Sequence, residues 1–229
     1  MTIKQKQTQL KYLGFYLGEI DGSFGPKSIS GTKSFQKTYG LVADGSFGPA
    51  TETKTIQVWK DVQTKLNVRG YNLAVDGSCG PATQQAIKQF QKDYLLGIDG
   101  SCGPITRSYI DAWAYAKHFK LSEFRCPREC NGYPVNVQPT LLYVCEDIRN
   151  HFGRSFNITS GIRCKSFNNS LNGSVTNSPH VTGKAVDFNI SGINKNIVLA
   201  YCQQLVRQGK LQYTYTNSTN MAGAVHINV

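Results

Sequence analysis

Apolar side chains recur along this chain with two rhythms. After Pro81, the residues Ala82, Ala86, Ile87 and Phe90 return at helical spacing and predict a short amphipathic helix. Further on, Pro139 opens a run in which Leu141, Val144, Cys145, Ile148 and Phe152 share one side. Gly153 stops that run, so a helix is expected over 139–152. Then the period changes. "FNITSGIRC" alternates around Ile158 and turns at Gly161, and "KAVDFNI" is strand-like. The closing "GAVHINV" puts His226 and Asn228 on one strand face and Val225 and Ile227 on the other. A polar loop, "KSFNNSLNGSVTNS", lies between the first two strands. One helix, several short strands and long loops make this half an α+β domain.

The first half carries an internal repeat. "GFYLGEIDGSFGPKSISGTKSFQKTYGLVADGSFGP" at 14–49 aligns with "GYNLAVDGSCGPATQQAIKQFQKDYLLGIDGSCGP" at 70–104. Asp21 pairs with Asp76, Phe35 with Phe90 and Asp44 with Asp99; one inserted residue, "YLGE" against "NLA", adjusts the register upstream. The unit is about 55 residues long and duplicated. Asp-Gly is turn chemistry, and the following Gly-Pro sets up the first helical turn. Each unit is therefore a pair of DGSxGP loops bracketing a helix, with a further helix before it around Leu10 or Leu66. Two small all-α three-helix modules are expected, over 1–57 and 58–115, followed by the α+β domain over 116–229. The aspartates are read as shaping the loops rather than touching a ligand.

Composition narrows the setting. Of the 229 residues, 40% are hydrophobic and 17% charged, as in a globular protein. No apolar run approaches the roughly 20 residues of a membrane helix, and "MTIKQKQTQLKY" has no apolar signal core. The expected setting is therefore synthesis in the cytoplasm, without signal-directed export. The net charge of +11 favours a polyanionic partner: nucleic acid, an anionic membrane or an anionic bacterial wall. The charge is spread, with no Lys/Arg run longer than two, so it makes no nucleic-acid arm. Seven cysteines leave at least one unpaired within the chain. Cys126 and Cys130 in "CPREC" lack the second pair of a zinc knuckle, and are read as buried thiols or a local bridge. Cys79 and Cys102 replace Phe24 and Phe47 at equivalent loop positions, which places them as possible neighbours.

The candidate chemistry lies in "SPHVTGKAVDF" and the last strand. There are four histidines: His118, His151, His180 and His226. His180, Asp187 and His226 would supply two imidazoles and one carboxylate, a recognised zinc set with an open fourth position; an ordinary turn and strand is the plainer alternative.

Two family resemblances sharpen this reading. The repeat resembles the peptidoglycan-binding domain found beside many cell-wall hydrolases: a Gly-Tyr, a DGxxGP loop, a helix ending in Phe-Gln and a second such loop. From about residue 119 onward the chain is similar to the M15-family zinc D-Ala-D-Ala carboxypeptidases and endolysin-type peptidases. Ser160-Gly161-Ile162-Arg163 matches their SGxR element; Ser178, His180, Gly183, Ala185 and Asp187 match SxHxxGxAxD; His226 matches the late histidine. "LSEFRCPREC" is similar to the Phe-x-Cys opening of one branch. The resemblance implies one zinc ion on His180, Asp187 and His226, with Arg163 holding a substrate carboxylate. It gives Ser178 a part in binding substrate or in bonding the loop that presents His180. A structural salt bridge is the plainer role for Arg163.

One departure stands out. The family's usual general base is a carboxylate near the last histidine, and Gly223 and Asn228 stand there instead. Beyond residue 112 the side-chain carboxylates are Glu123, Glu129, Glu146, Asp147 and Asp187. Asp187 is assigned to the metal and Glu146 and Asp147 to the helix, which leaves Glu123 as the candidate base on weak grounds. The expectation is a monomeric, zinc-dependent peptidase of peptidoglycan stem peptides, with no nucleic-acid partner and no membrane span. A phage endolysin is the form expected first, and a catalytically weak or inactive zinc-containing wall-binding protein is the alternative.

Overall fold

The computed structural model describes residues 1–128, 130, 132–216, 221 and 223–229. Glu129, among the carboxylates considered above, lies outside the described residues. Contacts divide the chain into two units, Met1–Ala114 and Tyr115–Val229.

The first unit is helical: α1 (Ile3–Tyr12), α2 (Pro26–Thr38), α3 (Pro49–Val68), α4 (Pro81–Asp93) and α5 (Pro104–Tyr115). Proline opens α2, α3, α4 and α5, and glycine precedes each as the extended cap of the first three. Proline spends no useful N–H there and has its φ preset for the first turn. Two three-helix modules share α3, which runs unbroken through the 57/58 division. Thr51, near its start, closes a loop of the first module, and Gln63, in its second half, closes a loop of the second. Trp59, Val62 and Leu66 on the same helix are buried, as are Phe35 and Phe90 at equivalent repeat positions.

Each DGSxGP loop is tied by one buried glutamine. The side chains of Gln7, Gln36, Gln63 and Gln91 donate to Asp21, Asp44, Asp76 and Asp99 at 2.8, 2.8, 2.7 and 2.6 Å. Their carbonyl oxygens accept from the N–H groups of Gly22, Gly45, Gly77 and Gly100 at 2.8–2.9 Å. Each aspartate in turn accepts from the serine N–H two residues on. The four glycines have φ between 73° and 83°, where a Cβ would be strained. The aspartates thus work as loop braces.

Among its described residues, the second unit holds a four-stranded antiparallel sheet in the order β1-β2-β4-β3: β1 (Phe156–Ser160), β2 (Ala185–Ile190), β3 (Tyr213–Thr216) and β4 (Val225–Asn228). The expected helix is α6 (Pro139–Phe152), ended by Gly153 at φ 60°. The expectation of a single helix is corrected here. The polar loop contains a short helix, α7 (Lys165–Ser170), and α8 (Lys195–Arg207) packs on β2, β3 and β4. Asn194 caps α8 through the Asn196 N–H, and Val198, Cys202 and Leu205 form its buried stripe. β4 is an inner strand covered on both faces, so Val225, His226, Ile227 and Asn228 are all buried. The face carrying His226 and Asn228 is therefore interior.

Candidate metal centre

The sheet register builds the site. Ser160, Asp187, His226 and Tyr215 stand side by side across β1, β2, β4 and β3. A one-residue irregularity in β1 between Ile158 and Ser160 brings Ser160 into that row. The remaining residue, His180, comes from a 3₁₀ turn, Pro179–Thr182, which Gly183 ends in the left-handed region at φ 70°.

Two glycines of the motifs are there because backbone passes close by. A Cβ on Gly183 would lie 1.9 Å from the Asn136 carbonyl oxygen, and one on Gly161 would lie 2.5 Å from that of Phe124. No side chain fits at either distance without a shift of main chain. The Gly161 carbonyl accepts from His180 Nδ1 at 2.6 Å. That bond fixes the tautomer and leaves Nε2 as the free ligand nitrogen, the arrangement in which metal-binding histidines are usually held. The Arg163 N–H donates to the His180 carbonyl at 3.1 Å, so the SGxR segment grips the turn from both sides.

His180 Nε2, His226 Nδ1 and Asp187 Oδ1 converge. The separations are 3.2 Å between the histidine nitrogens, 3.3 Å from His180 to Asp187 and 2.7 Å from His226 to Asp187. Ligand atoms set tetrahedrally about 2.0–2.1 Å from zinc stand about 3.3 Å apart, so the donor set fits that ion in type and number and in two of its three separations; the hydrogen-bonded His226–Asp187 pair would open by about 0.6 Å. All three residues are buried. Burial lowers the His180 pKa and favours the neutral imidazole that a metal needs. For Asp187 burial acts upward, but hydrogen bonds with His180 and His226 outweigh it and hold the carboxyl well below its usual range.

Arg163 lies beside this set. Its Nη2 is 2.5 Å from Asp187 Oδ2 and its Nε donates to Ser160 Oγ at 2.9 Å. Arg163 and Asp187 line a cleft of about 490 Å³ together with Glu123, Arg125, Ser160 and Met221. Glu123 shares that wall, with Oε1 accepting from the Lys120 N–H at 2.7 Å. The other helix carboxylates are engaged elsewhere: Glu146 pairs with His118 and Asp147 accepts from Tyr115. Ser178 is buried, and its carbonyl, not its hydroxyl, bonds the turn through Val181 N–H.

Sequence reasoning passed over two neighbours. Tyr215 faces His226 with ring centroids 4.8 Å apart, and burial raises its phenol pKa. Its signal was the alternation in "YTYT". Arg125 adds a second guanidinium to the cleft wall, and only its place inside "EFRC" could have flagged it.

Residues 117–222 match the family model described as Peptidase M15, and residues 2–54 and 57–109 each match the one described as "Putative peptidoglycan binding domain". The chain carries two peptidoglycan-binding domains followed by an M15 peptidase domain. The M15 match ends before His226, whose place beside His180 and Asp187 comes from the sheet register. Among curated proteins, the chain is 48% identical over 48 residues to a zinc D-Ala-D-Ala carboxypeptidase of Streptomyces albus G, covering 21% of this chain and 19% of that protein. It is 49% identical over 45 residues to the N-acetylmuramoyl-L-alanine amidase CwlM of Mycobacterium tuberculosis, covering 20% and 11%. A spore cortex-lytic enzyme of Oceanobacillus iheyensis is 43% identical over 51 residues, covering 22% and 18%. The chain thus spans between about a tenth and a fifth of these relatives, in stretches about as long as one repeat copy.

Proposed function

We propose that this chain is a zinc-dependent cell-wall peptidase that hydrolyses peptide bonds in peptidoglycan stem peptides, as carboxypeptidase or endopeptidase. The convergence of His180 Nε2, Asp187 Oδ1 and His226 Nδ1 beside an open cleft carries the reading. When bound, zinc on such a set lowers the pKa of its water to about 7 and polarises the scissile carbonyl.

The chain's own residues supply the rest. The Gly161 carbonyl orients His180, and Arg163 holds the outer oxygen of Asp187, leaving the inner one toward the histidines. Arg163 and Arg125 put two guanidiniums on the cleft wall, suited to a stem-peptide carboxylate by paired hydrogen bonds. Glu123 is the carboxylate on that wall assigned to move a proton. The two binding domains tether the catalytic domain to the wall and raise its local substrate concentration, and the charge of +11 suits an anionic wall. In biological setting we favour a phage endolysin made in the host cytoplasm and acting, as a monomer, at the wall; the pairing of wall-binding domains with a peptidase domain supports it.

A second reading is favoured by Gly223 and Asn228, which stand where the family's base is expected: a wall-binding protein that carries zinc and turns over slowly or not at all. Loss of a general base typically costs about 10²–10⁴-fold in rate. The test is incubation of zinc-loaded protein with purified peptidoglycan and mass spectrometry of released fragments, beside His226→Ala. Zinc-dependent release of stem peptide or free D-amino acid supports the peptidase. Intact binding to several wall types without release supports the second reading.

A further inference from the structure

Cys126 and Cys130 had no visible second pair in the sequence. Folding supplies a third thiol. Cys164, next to Arg163, comes to the same place, and the sulfurs of Cys126, Cys130 and Cys164 lie within 4.8 Å of one another. All three are free thiols, Cys126 and Cys164 buried and Cys130 partly so. The Cys164 N–H points at Cys126 Sγ at 3.4 Å, and the Phe167 N–H points at Cys164 Sγ at 3.4 Å. The Ser166 hydroxyl lies 3.2 Å from Cys164 Sγ. N–H donors aimed at sulfur favour thiolate over thiol.

We infer that Cys126, Cys130 and Cys164 form a second metal site, taking one thiophilic divalent cation of the zinc type. Four ligands set tetrahedrally at a Zn–S distance of about 2.3 Å place sulfurs about 3.8 Å apart, which a cluster of this size accommodates with small movements. Three thiolates on a divalent ion carry one net negative charge. Arg125, Arg128, Arg163 and Lys165 flank the cysteines in sequence and offset it. The fourth position is left to water, on the side where Cys130 and Ser166 line a cavity of about 470 Å³ with Pro127 and Arg128.

Such an ion has a structural use. Cys126 sits between Arg125 and Pro127, and Cys164 follows Arg163; all three of those neighbours line the cleft. One ion would clamp the segment after the first 3₁₀ turn (Leu121–Phe124) to the segment after β1, fixing two cleft walls. This inference holds whether or not the cleft proves to be a peptidase site.

The test uses the full chain, purified anaerobically with reductant and loaded with Co²⁺ in place of zinc. The His/Asp centre has no sulfur ligand, so only the cysteine site gives thiolate-to-cobalt charge-transfer absorption in the near ultraviolet. The wild type is expected to bind two cobalt ions per chain and show that band. His226→Ala should lose one ion and keep the band; Cys164→Ser should lose the band and keep one ion. Should Cys164→Ser fail to fold, the wild type and His226→Ala still decide the matter. Folded, cobalt-loaded protein without the band overturns the inference. So does alkylation mapping that finds two of these cysteines joined as a disulfide in protein never exposed to oxidant.

Discussion

Asp187 and His226 face each other across the β2–β4 ladder, with Oδ1 2.7 Å from Nδ1, while Arg163 Nη2 holds Oδ2 at 2.5 Å. One carboxylate is divided between two histidines and a guanidinium. Arg163→Lys keeps the charge but cannot span Ser160 and Asp187 with one planar fork. Partners that orient a metal ligand typically contribute about 10–100-fold in metal affinity, and a loss of that size is expected here. Competition with a chromogenic chelator measures it. Unchanged zinc affinity with a raised KM for substrates ending in a free carboxylate would leave Arg163 its substrate role alone and remove its part in holding Asp187 for the metal.

Gly161 makes a sharper prediction. Its φ is ordinary, so the constraint is space: a methyl group would press on the Phe124 carbonyl oxygen at 2.5 Å. The Ile162 N–H bonds that same oxygen at 2.8 Å, and the Gly161 carbonyl anchors His180. Gly161→Ala should destabilise the second unit by about 1–3 kcal/mol, the usual cost of overpacking. It should also weaken zinc binding, because His180 moves with its anchor. Thermal unfolding beside a zinc titration tests both, and a variant of wild-type stability would show that the two segments separate freely.

What could be read in advance followed the range of the interaction. The helix over 139–152 was legible because Pro139, a buried stripe and Gly153 are local signals. The loop role of Asp21, Asp44, Asp76 and Asp99 was legible from Asp-Gly chemistry, but their glutamine partners were not. Gln36 and Gln91 precede their aspartates by eight residues, whereas Gln7 and Gln63 lie across a turn at 14 and 13 residues. Helix α8 has a weaker local signal: Val198, Cys202 and Leu205 keep helical spacing, but its buried stripe is three residues long and no proline opens it. His180 and Asp187 could be proposed from a short motif. The pairing of Asp187 with His226, and the arrival of Cys164 beside Cys126, are set by sheet register and chain crossing, which no local pattern encodes.

The buried glutamines carry a stability prediction. Gln63 donates to Asp76, to the Ser78 carbonyl and to Thr83, and accepts from Gly77. Gln63→Leu would leave the buried Gly77 N–H without its partner. A loss of about 1–3 kcal/mol is expected, the cost of stranding a buried polar group. Trp59 and Trp113 are the only tryptophans and both lie in the first unit, so urea unfolding followed by tryptophan fluorescence reports that unit selectively. Zinc content should not change. An unshifted midpoint would mean that water replaces the glutamine at no cost.

The same loops give the first unit a sensitivity to acid. Asp44 is held below its ordinary value of 3.8 by hydrogen bonds from the Ser46 N–H and the Gln36 side chain, and Asp21 and Asp76 are lowered by their glutamines and serines. A carboxylate with a depressed folded pKa contributes stability that is complete above its unfolded value and lost as pH falls through its folded value. Between those limits the unfolded chain binds more protons, so stability rises with pH. The urea midpoint read by tryptophan fluorescence should therefore fall as pH drops through and below the ordinary aspartate value of 3.8. Asp44→Asn keeps an oxygen to accept from Ser46 and removes one titrating group, so its midpoint should vary less steeply over that range. An equally steep dependence in Asp44→Asn would exclude Asp44 as a source of the acid sensitivity and shift the search to the remaining carboxylates of the unit.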